Sequence, residues 1–258
     1  MSNVYEMARA ALVRDGVALV FVDLARVSRL LDDMERETPR LSAVDLERAA
    51  ARSAHTNSDG LWRTARIALR IVLERYAGPA IRQQPFTIES GGRPRLSDDL
   101  PAFSHAHSGA AALIAVAMRD ALGVDLEAPR RLSMSDERRA RIEAAGQNLA
   151  PDTQLTGDDA SRGLQAWVRL EAVAKASGSG IGETLTDAGV VGPRAGRTSP
   201  LFAAKLEVRD LIVPAGYFAA VAAPTLPRDL QIIDFPVDAA ALHRFIASGP
   251  VFSAHHGR

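Results

Sequence analysis

The chain has 258 residues, and its 31 Lys and Arg balance its 31 Asp and Glu, so the formal net charge is zero. A balanced charge provides no overall field that would attract nucleic acid or a membrane surface. The absence of cysteine excludes disulfides, thiolate metal sites and a cysteine nucleophile. With 47% hydrophobic residues, the chain can bury one large core or two modest ones. No apolar run reaches the roughly 18 residues of a membrane span, so the cytoplasm is the expected location. We also expect the chain to be a monomer.

The first half of the chain alternates strand-like and helical patterns. β-Branched residues at 17–22 predict a strand, and the charge pattern at 30–52 predicts helix. A clearer helix is expected at 62–76, where apolar residues recur at helical spacing. A Gly-Gly-Arg-Pro loop at 91–94 then leads towards a strand predicted at 111–118.

The second half continues with helices separated by polar loops. Ser135 is a suitable N-cap for a helix that has Asp136 and Glu137 in its first turn. A loop is expected at 151–159, followed by a helix at 161–176. Three further strands are predicted, at 204–213, 217–222 and 230–235.

Four charged side chains predict chemistry. Asp125 and Glu127 stand at i and i+2 of a strand, which turns both carboxylates to one face. Glu171 and Lys175 stand at i and i+4 of a helix, so they are neighbours on one stripe. Three acids that converge suit a hard divalent cation such as Mg²⁺. The pattern therefore predicts a metal-dependent enzyme that acts on a phosphate ester or anhydride.

A weak internal echo suggests two related halves. The apolar run 114–117 followed by 123–126 and a proline is similar to the run 219–222 followed by 231–234 and a proline. Short apolar matches also arise by chance, so this pattern alone leaves the duplication open.

Four motifs together resemble a known family, the longer, single-chain, surfactin-synthetase-activating type of 4′-phosphopantetheinyl transferase. The family's segments are G-K-P-x-L, F-N-x-S-H-S-G, G-[IV]-D-[IVL]-E and W-x-x-K-E-A-x-x-K. The matching segments here are Gly92–Leu96, Phe103–Gly109, Gly123–Glu127 and Trp167–Lys175, in the same order. The resemblance spans about residues 62 to 222.

The resemblance implies an α+β fold with a pseudo-twofold arrangement of two similar halves, 1–121 and 122–258. Each half would be a small antiparallel sheet packed on a long helix. The enzyme would be a holo-acyl-carrier-protein synthase that uses coenzyme A and Mg²⁺. It would move the 4′-phosphopantetheine group to a serine of an apo acyl or peptidyl carrier protein and release adenosine 3′,5′-bisphosphate. Such carriers serve fatty acid, polyketide or nonribosomal peptide biosynthesis, and the resemblance does not tell which.

By position in the motifs, Asp125, Glu127 and Glu171 fall on the family's metal ligands. Lys175 falls on the lysine beside the pyrophosphate, and we interpret Glu171 as the base, directly or through a water. The resemblance also implies a set of coenzyme A contacts. These candidates are His107, Ser108, Arg93, Arg63, Arg66 and Lys175.

Three residues depart from the family pattern. Ser104 replaces the usual Asn, Ala106 the usual Ser, and Leu170 the usual Lys. Because alanine lacks a hydroxyl, we expect Ala106→Ser to restore a hydrogen bond to the 3′-phosphate of coenzyme A and tighten its binding. His105 matches no family position of known role and is interpreted as an ordinary hydrogen-bonded histidine.

A carrier protein presents an acidic helix beside its serine, as the resemblance implies. Arg130 and Arg131, which precede Leu132 and Met134, offer charges to steer the encounter and apolar side chains to pack. A solvated helix N-terminus is the alternative reading of this segment.

Two other functional classes fit part of the pattern. A metal-dependent nuclease would also use an Asp-x-Glu strand, but it needs a basic channel with aromatic residues for stacking, and only 5% of this chain is aromatic. A homologue that binds coenzyme A or a carrier without catalysis is the other class. Such a copy would be expected to have lost one of the acids or Lys175. Without convergence, the acids are an ordinary solvated strand face and an exposed ion pair.

Overall fold

The computed structural model describes residues 12, 16–53, 60–89, 91–118, 121–199, 202–203, 205–214 and 216–247. Within these ranges the protein is a mixed α+β structure of seven α-helices and three sheets. None of these helices is both long and apolar enough to pass through a bilayer. The helices are α1 (Leu24–Glu37), α2 (Ala43–Ser53), α3 (Gly60–Ala77), α4 (Asp136–Leu149), α5 (Asp159–Ser177), α6 (Gly180–Asp187) and α7 (Ala239–Ala247). The strands are β1 (Val17–Asp23), β2 (Thr87–Ile88), β3 (Pro94–Arg95), β4 (Ala102–Ser108), β5 (Ala111–Ala117), β6 (Gly123–Glu127), β7 (Glu207–Asp210), β8 (Phe218–Ala223) and β9 (Ile232–Asp234).

Four strands form sheet 1, in the order β4-β5-β1-β9. The strands β4, β5 and β1 are antiparallel neighbours, whereas β9 lies parallel to β1. The sequence interpretation expected a purely antiparallel sheet, and this edge differs because β9 arrives from the other sheet rather than through a hairpin. Apolar side chains of α1, α3 and α7 cover one face of sheet 1.

Three antiparallel strands form sheet 2, in the order β6-β8-β7. One face of sheet 2 shares an apolar cluster with sheet 1, in which Val124 and Leu126 meet Leu113. The other face of sheet 2 packs against α5 through small residues that include Ala172 and Ala176. Sheet 1 therefore lies between its helices and sheet 2, and α5 covers the far side of sheet 2.

A glycine allows α5 to lie close to β6. A Cβ atom at Gly123 would lie 1.9 Å from the carbonyl oxygen of Ala172 and 2.6 Å from the backbone nitrogen of Ala176. These distances are shorter than any van der Waals contact, so only glycine fits at this point of β6. The absence of this side chain brings the acidic strand against the helix that carries Glu171 and Lys175.

Most elements expected from the sequence are present, with shifted ends. The helix expected at 62–76 is α3, the helix expected at 161–176 is α5, and Ser135 caps α4 by accepting a hydrogen bond from the Arg138 backbone nitrogen. The helical pattern at 30–52 is two helices, α1 and α2. The strand expected at 204–213 is shorter, since β7 spans Glu207–Asp210 and residue 204 lies outside the described ranges.

The sequence interpretation included neither β4, α6 nor α7. β4 reads Ala-Phe-Ser-His-Ala-His-Ser, and the absence of β-branched residues weakens its strand pattern. Helix α7 packs on α3, where Arg75 donates a hydrogen bond to the carbonyl oxygen of Phe245. The end of the described chain thus joins the core beside sheet 1, and the division into 1–121 and 122–258 stays a prediction.

We expect Gly123→Ala to lower the free energy of unfolding by about 2 kcal/mol or more, because overpacking against backbone atoms cannot be relieved by a rotamer change. Denaturant titration followed by circular dichroism would measure the loss. Gly182→Ala is the matched control, since a Cβ there meets nothing within 4 Å. It lies inside α6, where alanine is favoured over glycine by up to about 1 kcal/mol. Equal stability of the two variants would contradict the close contact.

Candidate functional site

The acids of β6 face α5, as the strand alternation predicts. Val124 and Leu126 point into the cluster between the sheets, so Asp125 and Glu127 point to the opposite face. The side chain of Asp125 is largely buried there, and its Oδ1 lies 2.7 Å from Nζ of Lys175. Lys175 also donates a hydrogen bond of 3.0 Å to the carbonyl oxygen of Val124. The predicted pairing of this strand with this helix is therefore present.

Glu171 lies one turn before Lys175 on α5 and belongs to the same electrostatic group. Burial raises the pKa of Glu171, and the negative charge of Asp125 raises it further. Burial also raises the pKa of Asp125, although Lys175 acts in the opposite direction. The charge of Asp125 thus makes ionised Glu171 less favourable, and Lys175 does not fully offset the effects of burial and neighbouring acids on either carboxyl.

Glu127 is held from two sides at the end of β6. Arg130 donates to both of its oxygens, at 2.6 Å from Nη2 to Oε1 and 3.1 Å from Nε to Oε2. The hydroxyl of Ser108 donates a further hydrogen bond of 3.0 Å to Oε2. The interaction with Glu127 raises the pKa of Arg130. Arg130 is therefore part of the acidic cluster.

A cavity of about 220 Å³ opens where α5 meets the first half of the chain. Its lining includes the turn 91–94, together with Glu171, Lys175 and the backbone at the C-terminal end of α5. Phe103, Ser104 and His105 of β4 also line it. A Cβ at Gly91 would lie 1.9 Å from the carbonyl oxygen of Gly178, so the turn rests directly on the backbone at the end of α5. The cavity thus joins an arginine, a lysine, a histidine and a carboxylate.

The two histidines of β4 share a face because they are two residues apart. His105 lines the cavity, whereas His107 is exposed nearer the strand end and is not among the lining residues. Burial, the charge of Arg66 and the charge of Lys175 hold the pKa of His105 well below its ordinary value. The sequence interpretation treated His105 as an ordinary histidine. The i, i+2 spacing from His107 was the signal that could have identified it.

The other coenzyme A candidates do not all meet at this cavity. Arg93 lines it, whereas Arg63 forms an ion pair with Asp32 on α1. Arg66 is buried, with its Nε 3.2 Å from Asp45 and its guanidinium over the ring of Trp62. Arg66 is therefore not part of a solvated face, because Asp45 and the rings of Trp62 and Phe86 cover it.

Two of the departures from the family pattern lie on buried faces. Ala106 packs in the apolar cluster between the sheets, opposite to His105 and His107. A hydroxyl there would enter that cluster, so this placement does not favour the expectation that Ala106→Ser tightens coenzyme A binding, which stays a prediction. Leu170 packs with Ile142 and Leu185 between α4, α5 and α6. A lysine at position 170 would therefore be buried away from the cavity.

Among the described residues, no three or more His, Asp or Glu side chains stand in a ready-made metal-binding arrangement. Lys175 and Arg130 occupy the positions beside Asp125 and Glu127. The donor set nevertheless fits a divalent cation. Oδ2 of Asp125 is buried without a hydrogen-bond partner, and a cation would offset the carboxylate charges that raise the pKa of Asp125 and Glu171.

A second cleft of about 640 Å³ lies at the opposite end of α5. Arg131, Leu132 and Met134 line one side, and the N-terminal turn of α5 lines the other. Met134 packs against the cluster of α4, α5 and α6, while Arg131 is exposed. The segment that the sequence interpretation assigned to a carrier protein therefore borders an open cleft.

Comparison with known proteins gives one distant relative. The chain is 34% identical over 126 residues to a protein of Synechocystis sp. described as "Putative 4'-phosphopantetheinyl transferase". The match covers 46% of this chain and 49% of the relative, so the chain spans about half the length of the curated relative that it matches. No protein-family model matches the chain.

We expect the imidazole of His105 to remain neutral from about pH 6 to pH 8, where a free histidine with a pKa near 6.5 titrates. NMR titration of the imidazole carbons would test this, with His105→Gln to assign the signal. The pKa of His105 is lowered in the folded protein, so the unfolded chain binds the proton more readily. The folded protein therefore loses stability as the pH falls below about 6.5. A titration midpoint at or above that of free histidine would contradict the environment described for His105.

Proposed function

We propose that the chain is a Mg²⁺-dependent 4′-phosphopantetheinyl transferase of the longer, single-chain type. It moves the phosphopantetheine arm of coenzyme A to a serine of an apo acyl or peptidyl carrier protein. The observation that carries the proposal is that Glu171 and Lys175 line one cavity together with Arg93, and that Lys175 also forms an ion pair with Asp125. The partial similarity to the Synechocystis protein supports the same activity.

The cavity suits the phosphate end of coenzyme A. Its volume of about 220 Å³ is below the roughly 300–1,000 Å³ of pockets that enclose drug-sized ligands. The pyrophosphate therefore lies inside, and the rest of the molecule extends over the rim. Arg93 and Lys175 provide positive charge, and neutral His105 can both donate and accept hydrogen bonds. The outer parts of coenzyme A would then contact exposed His107 and the more distant Arg63 and Arg66.

Asp125, Glu127 and Glu171 would hold the Mg²⁺ ion. When bound, the ion supplies charge neutralisation to the phosphate oxygens as a Lewis acid. The unpartnered Oδ2 of Asp125 is the atom that gains most from such a partner. Glu127 is already oriented by Arg130 and Ser108 towards the same face of sheet 2.

The transfer step is a displacement at phosphorus. The serine oxygen of the carrier attacks the β-phosphorus of coenzyme A, and the bond from that phosphorus to the bridging oxygen breaks. Glu171 takes the serine proton, directly or through a water. Lys175 donates to the departing phosphate of adenosine 3′,5′-bisphosphate as a point charge. Positioning and electrostatics supply most of the rate enhancement in such reactions.

The pseudo-twofold arrangement is part of the proposal. In both parts of the internal echo, the last strand leaves the sheet of the strand before it. β5 belongs to sheet 1 and β6 to sheet 2, while β8 belongs to sheet 2 and β9 to sheet 1. A long helix covers the outer face of each sheet, α3 on sheet 1 and α5 on sheet 2. The acids and the cavity then lie where the two halves meet.

The carrier protein would dock at the second cleft. α5 separates this cleft from the coenzyme A cavity, and Glu171 lies between its two ends. Two substrates can therefore approach one helix from opposite ends. Arg130 is committed to Glu127, so Arg131, with Leu132 and Met134, is the better carrier contact.

We expect Asp125→Asn to lower the transfer rate at least about 100-fold, because loss of one metal ligand removes several kcal/mol of transition-state stabilisation. The asparagine keeps the volume and can still accept from Lys175. The assay is the phosphopantetheine mass increment on an apo carrier protein with coenzyme A and Mg²⁺. Asp98→Asn is the control, since its side chain is 96% exposed.

Unchanged transfer by Asp125→Asn would refute the assigned site. Failure of the wild-type chain to modify any apo carrier, with coenzyme A still bound, would instead indicate a binding protein without catalysis. Metal-dependent cleavage of nucleic acid would favour a nuclease.

We expect Arg131→Glu to raise the KM for an acidic carrier protein by about fivefold and to weaken its salt dependence, because the arginine steers the encounter. The KM for coenzyme A should not change. Arg138→Glu is the matched control. This substitution makes the same change of charge at an exposed position of α4, and Arg138 does not line the cleft. Equal effects of Arg131→Glu on both substrates would place Arg131 in the coenzyme A cavity instead.

A further inference from the structure

Two serine hydroxyls join sheet 1 to sheet 2. β4 is an edge strand of sheet 1 and β6 is an edge strand of sheet 2, so each has an edge free of partners in its own sheet. Oγ of Ser104 accepts a hydrogen bond of 3.0 Å from the backbone nitrogen of Val124. Oγ of Ser108 accepts a hydrogen bond of 3.0 Å from the backbone nitrogen of Ala128. The two bonds bracket the segment that carries both acids.

The positions of these serines follow from strand alternation. Ser104, Ala106 and Ser108 share one face of β4, and Ala106 lies in the apolar cluster with Val124 and Leu126. The serines therefore flank an apolar contact, and each accepts a hydrogen bond from a backbone nitrogen, Val124 within β6 and Ala128 directly after it. Ser108 is not among the residues that line the coenzyme A cavity. This placement differs from the coenzyme A contact that the sequence interpretation assigned to it.

Ser108 makes a second bond that reaches the acid itself. Its oxygen accepts from Ala128, so the single hydroxyl proton is available to another acceptor. That acceptor is Oε2 of Glu127, at 3.0 Å. Arg130 also holds Glu127, but its side chain is 47% exposed and long. The serine is short and stands on a strand of sheet 1, so it restricts the carboxylate more firmly than the arginine does.

We infer that Ser108 is a positioning residue that orients Glu127 for the cation, and that Ser104 and Ser108 together hold β6 in register with β4. The inference rests on the proposed function, since it takes Glu127 as a metal ligand. Removal of a group that orients a metal ligand in this way typically weakens metal binding about 10- to 100-fold. A residue that contacted coenzyme A would change the affinity for coenzyme A instead.

The test measures the affinity of the full chain for Mn²⁺ by electron paramagnetic resonance, in the absence of coenzyme A. Ser108→Ala should weaken Mn²⁺ binding about tenfold or more, and Ser108→Thr, which keeps the hydroxyl, should restore most of it. Coenzyme A binding without metal, measured by calorimetry, should not change. Ser108→Cys, which keeps the volume and donates weakly, replaces the alanine variant if that variant does not fold.

Ser42→Ala is the matched control. The hydroxyl of Ser42, at the start of α2, makes the same pair of bonds. It accepts from the backbone nitrogen of Asp45 at 3.2 Å and donates to Oδ2 of Asp45 at 2.9 Å. Its loss should lower the melting temperature and leave Mn²⁺ affinity unchanged.

Three outcomes would overturn the inference. They are equal Mn²⁺ affinity of wild type and Ser108→Ala, weaker coenzyme A binding with Mn²⁺ affinity unchanged, and no Mn²⁺ binding by the wild type. If Mn²⁺ affinity depends on Ser108 but the wild type transfers no phosphopantetheine, the positioning role stands and the proposed function fails.

Discussion

The contact between α5 and β6 is the constraint on which the candidate site depends. Helix and strand approach closely because Gly123 has no side chain, and Ala172 and Ala176 continue the small surface on the helix. At this separation Nζ of Lys175 lies 2.7 Å from Oδ1 of Asp125, and the charge of Asp125 raises the pKa of Glu171. A larger residue at the contact would push the helix away from the strand and break the ion pair between Lys175 and Asp125.

Asp125 differs from Asp210 and Glu74 in how fully its carboxylate is paired. Arg169 is fully buried and binds both oxygens of Asp210, and Arg40 pairs with Glu74 in the core beside sheet 1. Such pairs satisfy both partners, and the loss of one partner would leave an expensive unpaired charge. Among the carboxylate oxygens in the described ranges, Oδ2 of Asp125 is buried without a partner. A buried carboxylate oxygen without a partner calls for an explanation, and the cation that we propose would provide one.

Periodicity predicted the elements that bury a continuous apolar face. α3, α5, β5 and β8 each have such a face, so their positions could be read from the chain with errors only at the ends. β4 and α7 were missed because local patterns do not report which neighbour covers them. The parallel pairing of β9 with β1 joins residues far apart in sequence, and no local preference encodes it.

The sequence by itself determined the direction of the charged side chains at the candidate site. The i, i+2 carboxylates of β6 and the i, i+4 pair of α5 follow from the geometry of a strand and a helix, and they face each other as expected. Only the tertiary structure decided which remaining side chains reach the cavity. His105 lines it, while Arg66 is buried beside Asp45 and Ser108 is turned towards Glu127. The physical reason is that secondary structure sets the direction of a side chain, whereas its partners depend on how sheets and helices pack.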